Sequence, residues 1–283
     1  MPKLFNNFAE IEQEVTAAVP PITYKYRDWN DPNHQSILTK NGIWFTHPKE
    51  LNDPYDIRVP VRFDYSEIEK PEFFEVLKKQ TQIRFPQFPP DSREFRVVCD
   101  NKLDLIKENP KKHFDENYLE LRESDLYDRI GVFSLTSDSL NETMWAHYGN
   151  NSKGFCIGFD TVGLLKKAPG GFGFVDYEKE PPLHSFIRPI SENQKDEMYI
   201  KNTKWEYEKE FRLLTFRIKS DKDRLFNFNP DVIKEIVLGS LISNEDRNEI
   251  IGILKKKYKK KVQLFICKAS ASSYGLQREE INF

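Results

Sequence analysis

Apolar and charged residues alternate most regularly from position 205 to 213. The even-numbered positions from 206 to 212 carry three glutamates and an arginine, whereas most odd-numbered positions are apolar or aromatic. Successive side chains of a β-strand point to opposite faces, so this period predicts a strand with its charges on one face. The alternative is a helix end, in which Glu208 forms surface i,i+4 pairs with Lys204 and Arg212. The pattern alone leaves both interpretations open.

Short apolar runs elsewhere predict further strands, and periodicity near 3.6 residues predicts helices between them. The predicted strands are 22–27, 43–46, 129–137, 154–160, 174–177, 210–218, 236–239 and 262–267. The predicted helices are 5–18, 35–40, 73–80, 114–127, 144–148, 162–167, 191–202 and 243–257. Many short strands mixed with helices in unequal blocks are typical of the α+β class, so we expect a mixed, mostly antiparallel sheet with flanking helices.

The segment from about 66 to 129 differs in character from the rest of the chain. It is rich in charge, has stretches of helical periodicity and contains a proline-rich interruption at 85–90. We interpret it as a helical insertion packed over the sheet. The chain contains no internal repeat, and the sequence predicts one α+β domain spanning residues 1–283.

Composition narrows the class of protein and its compartment. The 22 Phe, 12 Tyr and 4 Trp residues are more than a disordered chain carries. A net charge of −2, from 43 basic and 45 acidic residues, gives the protein no overall electrostatic attraction to nucleic acid or to membranes. Three widely separated cysteines argue against a disulfide framework and fit a reducing cytosol. Since no apolar run approaches the roughly 18 residues of a membrane helix, we expect a cytoplasmic protein without membrane contact.

A run of lysines near the C-terminus departs from this balanced charge. It begins on the last predicted helix, where it forms either a solvated helix face or a patch that follows nucleic-acid phosphates. Weak contact with nucleic acid would use the lysines of this run, which are Lys255, Lys256, Lys257, Lys259, Lys260 and Lys261.

Few side chains are obvious candidates for chemistry. Histidine is the residue whose ordinary pKa lies closest to neutrality, so His147 is a candidate general acid or base. The alternative is that His147 only packs beside Trp145 and Tyr148 on a core-facing helix stripe. Arg27 and Arg212 lie in predicted strands, and arginine binds carboxylates or phosphates through two hydrogen bonds. No zinc-ligand spacing or phosphate-binding glycine motif occurs, so we expect no metal.

The order of six short segments along the chain is more specific than any one of them. These segments are Tyr24–Arg27, Leu51–Asp56, Phe133–Thr136, Met144–Gly149, Lys153–Asp160 and Trp205–Arg212. In this order they resemble the bacterial family of uncharacterised proteins named domain of unknown function 2971, from about residue 22 to 240. The resemblance implies a shared fold unit and no particular activity, and the charged segment 66–129 carries none of the six motifs.

Three stretches are also similar to ADP-ribosyltransferases of the Arg/Ser-Thr-Ser/Glu-x-Glu type. Arg27, the stretch Ser134–Ser137 and the stretch Glu208–Glu210 follow in the same order, although a leucine interrupts the middle motif. Such enzymes break the nicotinamide–ribose bond of NAD through an oxocarbenium-like state. A carboxylate placed beside the ribose stabilises the positive charge that develops in that state.

This similarity implies a role for each matching residue. Glu210 would be the catalytic glutamate that binds the ribose, Glu208 its partner on the acceptor side, and Ser134 the supporting hydroxyl. Arg27 would anchor the phosphates. Aromatic rings stack on nicotinamide in such a site. The candidate NAD contacts beside Arg27 are Tyr26, Trp145, His147 and Tyr148.

The expected function is therefore transfer of ADP-ribose from NAD to protein or nucleic acid, as in a phage-defence or toxin-like effector. Two alternatives stay open. A non-catalytic module would bind a small molecule, a peptide or nucleic acid in a cleft lined by Trp44, Trp145 and Trp205. A nucleic-acid enzyme would gather Mg²⁺ with the glutamates of 206–210 and Asp53, because carboxylate oxygens suit that ion.

Overall fold

The computed structural model describes residues 19–123, 127–259 and 261–283, with the backbone alone at 117–123 and at 190. The helix predicted at 5–18 lies outside these residues. The chain divides into two compact units. The sheet unit comprises the described residues up to Asn52 together with Asp128–Tyr177 and Lys201–Phe283, and the helical unit comprises Asp53–Tyr127 and Glu178–Ile200. The single-domain organisation stays a prediction.

Strands and α-helices are numbered separately along the described chain. The strands are β1 (Ile22–Arg27), β2 (Gly42–Trp44), β3 (Arg62–Phe63), β4 (Gly131–Thr136), β5 (Phe155–Asp160), β6 (Gly171–Phe174), β7 (Asp176–Glu178), β8 (Leu183–His184), β9 (Ile200–Asn202), β10 (Glu210–Thr215), β11 (Leu225–Asn227), β12 (Ile233–Leu238), β13 (Gln263–Ala269) and β14 (Leu276–Glu280). The helices are α1 (Pro32–Thr39), α2 (Pro71–Arg84), α3 (Arg93–Glu108), α4 (Pro110–Glu123), α5 (Glu142–Tyr148), α6 (Thr161–Leu165), α7 (Ile190–Tyr199) and α8 (Asn244–Ile253).

One large sheet dominates the sheet unit. Its eight strands follow the order β14-β13-β12-β5-β1-β4-β10-β6. Neighbouring strands are antiparallel except β12 and β13, which are parallel. The helices of the chain fall in unequal blocks between these strands. The prediction of an α+β fold with a mixed, mostly antiparallel sheet is therefore confirmed.

The central strands of this sheet are buried on both faces. Phe133 and Phe155 belong to the larger apolar cluster on one face. Tyr26 and Cys156 belong to a smaller apolar cluster on the other face. Because adjacent residues of a strand point to opposite faces, a strand buried on both sides must be apolar at consecutive positions. This requirement accounts for the unbroken buried run of β5 from Phe155 to Phe159.

The helical unit has an apolar cluster of its own. Phe73 and Leu77 of α2 are buried together with Ile106 of α3. The spacing of Phe73 and Leu77 places both side chains on one side of α2. The Phe114 and Phe186 rings stack with their centroids 4.0 Å apart. Apolar contacts inside the unit thus hold its helices together.

The strand interpretation of the stretch from Trp205 is wrong before Glu210, whereas the predicted strand 210–218 begins where β10 begins. Thr203–Glu208 form a 3₁₀ helix that Asn202 caps with its side chain. Lys209 then adopts a left-handed conformation with φ of 43°, and β10 begins only at Glu210. A helical turn followed by this reversal breaks the two-residue period. The glutamates of the stretch therefore do not share one strand face.

The end of β1 packs against the backbone at Gly154. A Cβ atom on Gly154 would lie 2.1 Å from the backbone oxygen of Arg27, which cannot turn away. Gly154→Ala should therefore lower the free energy of unfolding by about 1–3 kcal/mol, the usual range for overpacking. Equilibrium unfolding in urea measures this change.

Gly252→Ala is the matched control for this substitution. A Cβ atom on Gly252 would meet nothing within 4 Å. Alanine favours a helix, so the control should leave the free energy of unfolding unchanged or raise it by up to about 1 kcal/mol. Equal losses in the two variants would contradict the close packing of Gly154 against β1.

Candidate functional site

β1 and β4 are neighbours at the centre of the sheet, but they are paired at a single position. Their ladder consists of Tyr24 opposite Thr136, whereas β1 and β5 pair along all six residues. Next to that single pair, Lys25 and Arg27 of β1 are only half-buried. Ser134 is likewise half-buried, and it is the one residue of β4 that is not buried. We call this stretch of incomplete pairing the β1–β4 gap, defined by Lys25, Arg27 and Ser134.

Lys25 occupies part of the β1–β4 gap. Its Nζ donates a hydrogen bond to the backbone oxygen of Ser134 at 2.7 Å and lies 5.2 Å from the centre of the Phe133 ring. Burial lowers the pKa of Lys25 well below its ordinary value, and the charge of Arg27 adds to this shift, whereas the charge of Glu210 opposes it. Among the described residues, no carboxylate forms a direct ion pair with Lys25. No carboxylate of the described residues therefore contacts the Lys25 ammonium in the β1–β4 gap directly, and the negative charge of Glu210 acts on it from a distance.

Arg27 follows two residues later and points to the same face of β1 as Lys25. Burial lowers the pKa of Arg27 to about 10, and the charge of Asp31 partly offsets this effect. Within the described part of the chain, its guanidinium has no hydrogen bond or ion pair. Burial, followed by the charge of Arg27, lowers the pKa of His34 on α1. An arginine in such surroundings suits a phosphate or carboxylate that comes from a ligand.

Glu210, the first residue of β10, is buried and held as a carboxylate. Arg212 donates from Nε to Oε1 and from Nη2 to Oε2, each at 2.8 Å, and Lys201 Nζ donates to Oε2 at 3.2 Å. The Ser134 side chain also hydrogen-bonds to Glu210. Burial alone would raise the pKa of Glu210, but the charges of Arg212 and Lys201 outweigh it and hold the pKa well below its ordinary value. Glu210 is therefore ionised near neutral pH.

Glu208 ends the 3₁₀ helix and shares Lys201 with Glu210. Lys201 Nζ and the Tyr148 hydroxyl donate to its two carboxylate oxygens, each at 2.6 Å. The Asn52 amide in turn donates to the Tyr148 hydroxyl at 2.9 Å. Burial raises the pKa of Glu208, the charge of Lys201 opposes this rise, and the charge of Glu210 adds to it. The helix-end interpretation placed Glu208 in surface i,i+4 pairs with Lys204 and Arg212. These surface pairs are wrong, because Glu208 is only 4% exposed.

Aromatic side chains lie next to Lys201 and form what we call the aromatic rim, made of His147, Tyr148, Trp205 and Tyr207. Lys201 Nζ lies 5.1 Å from the centre of the Trp205 ring. His147 Nδ1 lies 2.9 Å from the Tyr207 hydroxyl. His147 is exposed and the other three rings are half-buried. The rim thus offers ring surface on which a planar ligand group can stack.

Tyr26 and Trp145, both predicted to contact NAD, lie in the smaller apolar cluster. Tyr26 is 2% exposed and Trp145 is fully buried, with their ring centroids 4.9 Å apart. Their polar atoms are already bonded, because Tyr26 donates to the Asp138 backbone oxygen and Trp145 to that of Ser139. The two rings therefore pack as core residues, and α5, which carries Trp145, also carries two residues of the rim.

The structure brings Ser134, Glu208 and Glu210 of the predicted site into one network. Two cations beside these residues, Lys25 and Lys201, were not predicted from the sequence. Lys25 had a signal, since a lysine among the aromatic residues of a predicted central strand is unusual. Lys201 had none, because only the fold shows that its ammonium lies between two carboxylates.

Three further features concern the described residues. No group of three or more His, Cys, Asp or Glu side chains among them is arranged to hold a metal ion. No helix among them is long and apolar enough to cross a membrane. All three cysteines are buried and free.

Lys201→Met tests how far the network depends on one ammonium group. The substitution leaves Glu208 and Glu210 buried with one cation fewer, and breaking a buried pair costs about 3–5 kcal/mol. We expect a loss of this size in the free energy of unfolding at pH 8, measured in urea. The loss should shrink as the pH falls, because Glu208 has a raised pKa in the folded state and its protonation removes the uncompensated charge.

Lys204→Met is the control, because Lys204 is exposed on the same stretch of chain. It should change the free energy of unfolding by less than about 0.5 kcal/mol. A loss in Lys201→Met that is the same at pH 5 and pH 8 would contradict the shared network.

Comparison with known protein families gives a match over one segment of the chain. Residues 144–213 match the model of a family described as a protein of unknown function (DUF2971). The matched segment includes the aromatic rim, Lys201 and both glutamates of the network. No curated protein and no solved structure matches the chain. The resemblance predicted from the ordered motifs is confirmed over this segment, which is similar to the DUF2971 family.

Proposed function

We propose that the protein binds NAD in the β1–β4 gap and transfers its ADP-ribose group to a protein or nucleic-acid acceptor. One observation carries the proposal. Arg27, Ser134 and Glu210 come from distant parts of the sequence but lie on three neighbouring strands, β1, β4 and β10. Sequence order alone does not require these strands to be neighbours, so their adjacency supports the proposal. The register places Ser134 and Glu210 on the face of Tyr24, opposite to that of Arg27, so a ligand that contacts all three must pass between β1 and β4.

The diphosphate of NAD would bind to the side chains of β1. Lys25 and Arg27 point to the same face and are both half-buried in the gap. A diphosphate carries two negative charges, and hydrogen bonds from lysine or arginine to phosphate are among the stronger ones in proteins. Binding would also relieve the repulsion between Lys25 and Arg27, which contributes to the lowered pKa of Lys25.

Glu210 would bind the ribose that carries nicotinamide. A carboxylate has about four lone-pair sites, and in Glu210 these accept from Arg212, Lys201 and Ser134. Ser134 is the partner that is half-buried at the gap, so its hydroxyl can turn away and a ribose hydroxyl can replace it. When the bond from nicotinamide nitrogen to ribose carbon breaks, nicotinamide leaves with the electron pair. The Glu210 carboxylate then stabilises the positive charge on the ribose.

Glu208 would serve the acceptor. A hydroxyl or amine of the acceptor forms the new bond to the same ribose carbon and gives up its proton. The Tyr148 hydroxyl, which donates to Glu208, can pass that proton to the carboxylate, whose raised pKa suits a proton acceptor. The products are ADP-ribosylated acceptor, nicotinamide and one proton.

A second function, a non-catalytic binding module, is favoured by the ion pairs of both glutamates. Lys201 contacts Glu208 and Glu210, and Arg212 holds Glu210 with two hydrogen bonds. In such a module the network would only fix the fold, and the gap would bind an anionic ligand. NAD would then stabilise the protein without release of nicotinamide.

Arg27→Met separates ligand binding from folding. Wild-type protein incubated with NAD labelled in its adenosine, together with cell extract, RNA or DNA, should transfer label and release nicotinamide. Loss of one charge-assisted contact should lower the transfer rate by roughly 10- to 100-fold. The melting temperature should not fall, since the Arg27 guanidinium has no partner among the described residues.

Glu206→Gln provides the matched control for Glu210→Gln. Glu206 is exposed on the same stretch, so its substitution should leave transfer unchanged, whereas Glu210→Gln should abolish it. Stabilisation by NAD without nicotinamide release would favour the binding module. If NAD neither stabilises the wild type nor is consumed by it, both proposals fail.

A further inference from the structure

A cavity of about 430 Å³ opens on the sheet unit beside the start of β12. Its apolar lining consists of largely buried side chains, among them Ile233, Tyr258 and Val262. Its charged lining consists of Lys234, Lys257, Lys259, Lys261 and Asp231. Ligand sites in proteins usually have volumes of about 300–1,000 Å³ and an apolar floor with a few polar groups. The cavity has these dimensions and an excess of positive charge.

Not all of this charge is neutralised by the protein. Lys257 Nζ donates to two backbone oxygens at the end of α1, at 2.7 and 2.9 Å. Lys261 lies 3.6 Å from the Asp231 carboxylate, and both side chains are mostly exposed. Lys259 forms no hydrogen bond or ion pair with any residue that the structure describes. Lys234 Nζ donates to the Asp231 backbone oxygen at 3.0 Å and lies 3.7 Å from the Asp160 carboxylate. Two carboxylates, those of Asp231 and Asp160, thus stand against four ammonium groups.

The backbone at the cavity wall is also unusual. Leu254–Tyr258 form a π-helical segment, and Lys259 has a positive φ of 48°. π-Helical turns are rare and occur frequently at functional sites, and left-handed conformations of ordinary residues are unfavourable. Both features lie within the lysine run at 255–261. Lys260 of this run lies outside the described residues.

We propose that this cavity binds a small molecule that carries two or more phosphate groups. Ammonium groups bind phosphate as compact point charges, and four of them around one concavity match several phosphate oxygens. A nucleic-acid strand would instead use the exposed Lys255 and Lys256, which do not line the cavity. The proposal does not depend on NAD binding in the β1–β4 gap.

Titration calorimetry of the full chain with inorganic tripolyphosphate and with ATP tests this proposal at low salt. Both probes should bind the wild type and bind less tightly as salt is added. Lys259→Gln and Lys261→Gln should each weaken binding by roughly three- to tenfold, because each removes one exposed charge contact. Asp231→Asn should tighten binding by roughly the same factor, because it removes the one negative charge of the lining.

Lys255→Gln and Lys256→Gln are the matched controls, since they change the same net charge outside the cavity. Binding to these variants should equal that of the wild type. The proposal is overturned if neither probe binds, if citrate binds as tightly as tripolyphosphate, or if the control substitutions weaken binding as much as Lys259→Gln. Tighter binding of a single-stranded oligonucleotide, with dependence on Lys255 and Lys256, would identify the run as a nucleic-acid surface instead.

Discussion

One ammonium group, that of Lys201, holds two buried carboxylates together, and the rest of the candidate site depends on it. Glu208 and Glu210 would repel each other in the interior without a shared cation. Lys201 Nζ contacts them at 2.6 and 3.2 Å, and Arg212 completes the coordination of Glu210. Removing any one of the four charges would leave the other three buried with a net charge, so the network is stable only as a whole. It also fixes the place where the 3₁₀ helix ends and β10 begins.

The network borders an incomplete strand pairing in the sheet. Where β1 and β4 pair at one position, Lys25 donates to the Ser134 backbone oxygen and Arg27 stays without a partner in the described chain. A sheet selected for stability alone would extend this ladder with apolar residues. Local choices that conflict with the surrounding fold are concentrated at functional sites. The conflict here places two cations and one hydroxyl within reach of solvent, and Glu210 lies directly behind the hydroxyl.

Elements whose signals are local could be predicted from the sequence. The run 154–160 and the Asn141-capped helix at 144–148 are close to β5 and α5 as observed. The 3₁₀ helix before β10 could not be predicted, because the charges at 206 and 208 mimic strand alternation while their environment is set by the distant Lys201. β14 was missed because its polar sequence suits a sheet edge and lacks an apolar period. For the site, motif order identified Ser134 and Glu210, but it could not tell that Tyr26 faces the core, since a motif does not specify a strand face.

The central claim is that the β1–β4 gap is an NAD site whose chemistry centres on Glu210. A crystal structure with an NAD analogue that cannot be cleaved at the nicotinamide–ribose bond tests it most directly. The account predicts the diphosphate within hydrogen-bond distance of Lys25 and Arg27, and a ribose hydroxyl on Glu210 in place of the Ser134 hydroxyl. An analogue bound elsewhere, or a ribose out of reach of Glu210 with the Ser134–Glu210 bond intact, would contradict it.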